Sequence, residues 1–324
     1  MKKENYKKHA QDTINLQILA LQKLKKSIGN AFNQAVKLIG ECTSKTILIG
    51  VGKSGHVASQ IAASLSSVGA PSFALSASDC SHGDLGSISK KDILILISNS
   101  GETTELKPIT SYANRNKITL IGITAKKNSL LYKAADIKLL IPEVKESGPG
   151  SIVPSSSIIA QASLGSSLVI SVMKYKKHGI MLFKKWHPAG SIAKKLLTVK
   201  DLMIAGKNKI PFVNENLKMQ DALRILRHKN LGFIIVRNSK KITTGILTDG
   251  DLKRKIKKNQ KLHNLLVKKL MTPKPVSISQ DMLATKALSI MQDKKITALC
   301  VNSNKSKYKT TGVLHIHNIL EANI

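Results

Sequence analysis

The stretch GVGKSGH (Gly50–His56) follows directly on the apolar run KTILI (Lys45–Ile49). A glycine-rich turn between a buried strand and a helix is a phosphate-binding device with several builds. Three compete here. Gly50, Gly52 and Gly55 spell the dinucleotide pattern G-x-G-x-x-G. Gly52-Lys53-Ser54 spells the end of a triphosphate P-loop. A short strand-to-helix turn of this kind also suits a sugar phosphate. A P-loop needs a glycine five positions before Gly52, and Ile47 stands there. A dinucleotide turn needs an acidic residue at the end of the second strand. Ser76-Ala77-Ser78 stands there instead, and Asp79 comes late.

Working outward from this turn, strands and helices alternate. KTILIG is continuously apolar, as in a parallel strand buried on both faces. SGHVASQIAASLSSVG predicts a helix, PSFAL a second strand and DILILIS a third. ETTELKPITSYANRN predicts a helix, ITLIGIT a fourth strand, SLLYKAA a short helix and IKLLIP a fifth strand. A long helix is expected from Ser155 to Tyr175, and a single helix before the first strand, from Asn5 to Leu38. This series predicts an α/β fold, a three-layer αβα sandwich around a parallel sheet.

The second polar loop favours the sugar phosphate. SNSGETTE (Ser98–Glu105) follows the third strand and sets Ser98, Ser100, Thr103 and Thr104 around a glycine. One hydroxyl would serve as a helix cap. Four, with the free N–H groups of a helix start, make a site for a phosphate monoester. A third cluster, PSSS (Pro154–Ser157), opens the long helix. Polar loops at the carboxyl ends of neighbouring strands are what a ligand crevice in an open sheet requires.

After His187 the texture changes and an internal repeat appears. VKDLM at Val199 recurs as VKKLM at Val267, DALRIL at Asp221 as KALSIM at Lys286, and TGILTDGDL at Thr244 as TGVLHIHNI at Thr311. The spacing predicts two small tandem α+β domains. The expected division is 1–190, 199–258 and 267–324. HPAGSIAKKLLT serves as linker, and KIKKNQKLHNLL joins the repeats.

The 324 residues carry a formal net charge of +33, with 42% hydrophobic and 3% aromatic residues. The lysines are scattered from Lys2 to Lys309, with no aromatics interleaved with arginine for stacking bases. Nucleic acid is therefore not an expected partner. Three cysteines without a C-x-x-C pair argue against a disulfide framework or zinc ribbon and fit a reducing, cytoplasmic setting. No apolar stretch follows the basic start, so no signal peptide is read. SIIAQASLGSSLVISVM is diluted by Ser, Gln and Gly and reads as a buried helix, not a membrane span.

GVGKSGHVA, SHGDLG, ISNSGETTEL and HPAGSIAKKLL, in this order, resemble a sugar isomerase (SIS) domain. VKDLM, GILTDGDLKR, KLMTP and GVLHIHNIL resemble a pair of cystathionine-β-synthase (CBS) domains. Together they resemble the arabinose 5-phosphate isomerases. The resemblance implies interconversion of D-ribulose 5-phosphate and D-arabinose 5-phosphate through an enediol, feeding 3-deoxy-D-manno-octulosonate and lipopolysaccharide. It implies catalytic positions at Lys53, Glu105, Glu146 and His187. Substrate contacts fall on Gly69, Ala70 and His82, beside the phosphate loop residues Ser98, Ser100 and Thr103.

The residue types suit the chemistry. Moving a proton between C1 and C2 needs a carbon base, an acid for the oxygens and a cation or donors for the enediolate. Lys53 is the cation, Glu105 or Glu146 the base, and His187 or His82 can serve ring opening. No cofactor or metal is expected. The family's histidine after the second strand is Ser76 here, which weakens an inhibitory zinc site. Thr248 and Asp251 resemble a nucleotide-ribose pair, with His315 and Asn318 as their counterparts in the second repeat. A nucleotide or sugar-nucleotide regulator is expected at the first repeat and not at the second, dimerisation is the other role open to the CBS pair, and a homotetramer is the expected assembly. The alternatives are another phosphosugar isomerase or a non-catalytic sugar-phosphate sensor acting through its CBS pair. A sugar-phosphate-sensing transcription regulator would need a helix-turn-helix segment, and a lone N-terminal helix offers none.

Overall fold

A computed structural model describes residues 5–177, 183–184, 186–187, 189–206, 209–229, 231–256, 264–302 and 308–324. Pro188 of the HPAG motif and residues 257–263 between the repeats lie outside the described residues. The chain divides into two compact units, Met1–Trp186 and His187–Ile324.

The first unit opens with two helices, α1 (Tyr6–Ser27) and α2 (Asn30–Glu41), where the sequence predicts one. The break has a local cause. Ile28 and Gly29 take extended backbone, and Gly29 caps α2. α2 is no free recognition helix, because it buries Phe32, Ala35, Val36 and Ile39. The strands are β1 (Thr46–Gly50), β2 (Ser72–Ser76), β3 (Ile93–Ile97), β4 (Thr119–Thr124) and β5 (Ile137–Leu140). All neighbours pair in parallel, in the order β2-β1-β3-β4-β5.

Alternation along the strands builds two cores, since successive side chains point to opposite faces. Leu48, Ile93, Ile95, Ile97, Ile121 and Ile123 pack under α1, α2, α3 (Lys53–Ser67) and α7 (Ser156–Tyr175). Ile47, Ile49, Leu94, Leu96 and Leu120 pack under α4 (Ala77–Cys80), α5 (Lys107–Asn116) and α6 (Leu130–Ala134). This is the expected three-layer sandwich. α7 is long and apolar enough to cross a membrane by length and composition. Here its buried stripe from Ala160 to Val172 belongs to the first core.

The second unit holds two four-stranded sheets. One is β10 (Thr272–Pro273), β9 (Thr243–Thr248), β8 (Phe233–Arg237) and β7 (Phe212–Asn214); the other is β11 (Ser277–Ser279), β12 (Ala298–Asn302), β13 (Thr310–His315) and β6 (Ile204–Ala205). The repeats exchange their leading arms. β6 pairs with β13 of the second copy, and β10 with β9 of the first. Val199 is buried in the second copy's core, and Val267 and Leu270 in the first's. Thr243 and Thr310, at matching positions, meet hydroxyl to hydroxyl at 2.9 Å.

Candidate active site

All five strands of the first sheet are parallel, so their following loops gather at one end. The chain leaves β1 for β2 on one side and then crosses to β3 on the other. That reversal opens a crevice between the carboxyl ends of β1 and β3, where open α/β sheets bind ligands. Gly50 and Ile97 are register partners, so the turns after them start about 4.8 Å apart.

The β1 turn is held by close backbone approach. A Cβ on Gly50 would lie 2.7 Å from the Ser54 carbonyl, and one on Gly55 would lie 2.8 Å from the Gly50 oxygen. α3 therefore starts at Lys53 directly against the strand. Its N-cap, Gly52, offers no side-chain cap, and the first N–H groups of a helix have no partner within it. Lys53 is exposed beside them.

The β3 loop is more tightly organised than its hydroxyls suggest. Ser98 is buried; its Oγ accepts from Gly101 N–H at 2.9 Å and meets Thr103 Oγ1 at 2.7 Å. Ser100 Oγ accepts from Glu102 N–H at 3.2 Å. Glu102 Oε1 accepts from Leu130 N–H at 2.8 Å, tying the loop to α6. Gly101 has φ +68°, and a Cβ there would strike Ser129 and Thr124. The expected helix start is displaced. A 3₁₀ turn covers Thr104–Leu106, and α5 begins only at Lys107 with proline in its first turn. Glu105 sits exposed on that turn, with no hydrogen bond or ion pair among the described residues.

Glu146 is a different carboxylate. Its Oε2 accepts from Ser155 N–H (2.7 Å), Ser155 Oγ–H (3.1 Å) and Ser156 N–H (2.7 Å), and Ser157 N–H reaches Oε1 at 3.3 Å. It closes the start of α7. Burial by itself would raise this carboxyl. Hydrogen bonds from the Ser157 hydroxyl and the backbone of Ser155, Ser156 and Ser157 outweigh it and hold the group below the ordinary glutamate value.

The remaining sequence candidates fall in three places. His82 is exposed on the loop after β2, at the crevice end. Gly69 and Ala70 do not join it. They lie between α3 and β2, at the opposite end of the sheet, with the Trp186 ring over Gly69. The 15 residues of α3 put about 22 Å between them and Lys53. His187, half-buried, opens the second unit. Thr248 and Asp251 form a capping box. Thr248 N–H donates to Asp251 Oδ2 at 3.1 Å, and Asp251 N–H to Thr248 Oγ1 at 3.2 Å. His315 and Asn318 build the same box in the second repeat.

Sequence reasoning missed Gln161. It stands on the buried stripe of α7, 1% exposed, and its Oε1 accepts from Ser54 Oγ–H at 3.1 Å. The signal was present: a glutamine three positions before Leu164 and seven before Leu168 lies on the core-facing side of the helix.

The SIS domain family matches residues 41–171, and the CBS domain family matches residues 199–258 and 267–324. Arabinose 5-phosphate isomerase KdsD of Escherichia coli K12 is 32% identical over 321 residues, covering 99% of this chain and 97% of its own. An uncharacterized protein of Rickettsia prowazekii is 35% identical over 322 residues, covering 99% of this chain and 98% of its own. A protein of E. coli CFT073, solved in complex with arabinose 5-phosphate, superposes with a TM-score of 0.53 at 32% identity over 55% of this chain and 95% of its own. With the crevice in a parallel sheet and the repeat that follows it in sequence, these matches show that the chain belongs to the arabinose 5-phosphate isomerase family, enzymes with a SIS domain followed by tandem CBS domains.

Proposed function

We propose that the chain interconverts D-arabinose 5-phosphate and D-ribulose 5-phosphate at the β1–β3 crevice. The observation that carries the reading is the pairing of two polar turns there. One carries Lys53 on an uncapped helix start, the other Ser98, Ser100 and Thr103 around a fixed glycine. The phosphate takes the serine loop, and the C1–C2 end of the sugar lies toward Lys53, whose charge stabilises the enediolate. Glu105, exposed and without a partner among the described residues, is the carbon base. Glu146 already accepts four hydrogen bonds and holds the start of α7. His82 or His187 serves ring opening, with His as the natural proton carrier near neutral pH.

Gly69 and Ala70 can meet substrate only from another copy, because they lie at the far end of their own sheet. A homotetramer in which that end of one protomer faces the crevice of another belongs to the same proposal. Ile14, Ile18 and Leu19 on α1 and Ile170 on α7 are exposed and available for such contacts. The CBS pair takes a regulatory nucleotide through Thr248 and Asp251. The product's use in 3-deoxy-D-manno-octulosonate synthesis, in the cytoplasm, belongs to the same proposal.

The test is a coupled assay of the purified chain with a panel of pentose and hexose phosphates. Turnover confined to the arabinose–ribulose 5-phosphate pair is expected. Turnover of a hexulose 6-phosphate alone would replace the substrate assignment.

A further inference from the structure

Four buried side-chain atoms lack a hydrogen-bond partner among the described residues: Ser147 Oγ, Ser156 Oγ, Gln161 Nε2 and Arg237 Nε. Three of them lie in the β5–α7 segment and the first turns of α7. Native proteins leave few such groups, and each calls for a reason.

Gln161 has the clearest one. Its carbonyl end takes the Ser54 hydroxyl, while its amide end goes unmet. A methionine of similar length would fill the same space without an unmet donor, while leaving the half-buried Ser54 hydroxyl without this acceptor. The amide therefore costs stability, and what it supplies is the tie to Ser54. That tie matters because of what Ser54 adjoins. It follows Lys53 in the first turn of a helix that has no side-chain cap. Beside the Gly50–Gly55 backbone contact and the His56 N–H to Gly52 carbonyl bond at 3.2 Å, the Ser54–Gln161 bond is a side-chain tie on this turn. It also joins the Lys53 turn to the helix whose start Glu146 closes.

We propose that Gln161 is a positioning residue of the isomerase site, acting through Ser54 to fix the turn that carries Lys53. The inference rests on the reading of Lys53 as the site's cation. A reacting group displaced by about 1 Å loses up to about 100-fold in rate, so a modest relaxation of this turn is enough to register.

The test uses the full chain with D-arabinose 5-phosphate and the variants Gln161→Met, Ser54→Ala, their combination, and Lys53→Ala. Loss of one hydrogen bond's worth of placement is expected to lower kcat about tenfold in Gln161→Met, with KM within about twofold. Its Tm should change little, because removing the unmet amide donor offsets the acceptor that Ser54 loses. The double variant should fall no further than Ser54→Ala alone, because the glutamine acts through the serine. Wild-type kcat in Gln161→Met overturns the proposal, as do losses that multiply in the double variant. A lowered Tm with unchanged kcat also overturns it, leaving only a packing role. If Gln161→Met does not fold, Ser54→Ala decides alone: about tenfold loss supports the tie, wild-type kcat overturns it. Lys53→Ala separates the two levels. Wild-type turnover there removes the site reading itself, whereas inactivity there beside an unaffected Gln161→Met removes only this inference.

Discussion

Glu105 and Glu146 are the same residue type, yet their surroundings assign them different work. Glu105 is exposed on a 3₁₀ turn, and Glu146 is half-buried under the N–H groups that open α7. Glu105→Gln keeps the shape but cannot take a proton, so kcat should fall about 100-fold or more, with Tm unchanged, as steady-state kinetics and a melting curve will show. Glu146→Gln should act the other way round. Losing a charged cap should cost about 1–2 kcal/mol of stability, read by urea denaturation, with a smaller effect on turnover. The pH dependence follows. Glu146 has a lowered folded value against an ordinary 4.5, so its contribution is present above the unfolded pKa. It is lost as pH falls through the folded one, and that loss should vanish in Glu146→Gln. The sequence made both glutamates legible as candidates through family motifs. It could not separate them, because the separation depends on which backbone donors meet each carboxylate.

At the scale of elements, the order of strands and helices in the first unit was readable because parallel strands buried on both faces are continuously apolar. The failures were local. The chain from Asn5 to Leu38 has helical periodicity on both sides of Ile28-Gly29, and nothing in the spacing marks the turn between α1 and α2. The phosphate loop was expected to open straight into a helix, but Pro108 in the first turn of α5 and the 3₁₀ turn before it delay the start. Gly101 shows how rigid that loop is. Alanine there faces a left-handed backbone and the Ser129 and Thr124 side chains. Gly101→Ala should destabilise the chain by about 2–4 kcal/mol, measurable in urea. Wild-type stability would mean that the loop is looser than described.

For the whole molecule, the exchanged arms were not legible. The repeat is visible as spacing, but spacing does not say which copy's core receives Val199 or Val267. The exchange has a consequence for truncation. A chain ending near residue 195 should keep some turnover, whereas one ending near residue 256 strands the first repeat without Val267 and Leu270 and should be less stable than both the full chain and the shorter truncation. Melting curves of the two truncations beside the full chain check this. The second repeat also carries a pH response. Burial first, and then the charge of His317, lower the His315 pKa from 6.5. The unfolded chain therefore binds the proton more readily, and stability should decline as pH falls below 6.5 toward the folded value. His315→Asn, which keeps a capping side chain, should flatten that decline in melts across this range. The central claim is that a proton is moved between C1 and C2 of a pentose 5-phosphate in the crevice between β1 and β3. Its most direct test is conversion of D-ribulose 5-phosphate by the full chain in deuterated water, with C2 of the product followed by proton NMR. The account expects D-arabinose 5-phosphate with deuterium at C2 in part or all of the product. No formation of arabinose 5-phosphate from D-ribulose 5-phosphate would contradict it.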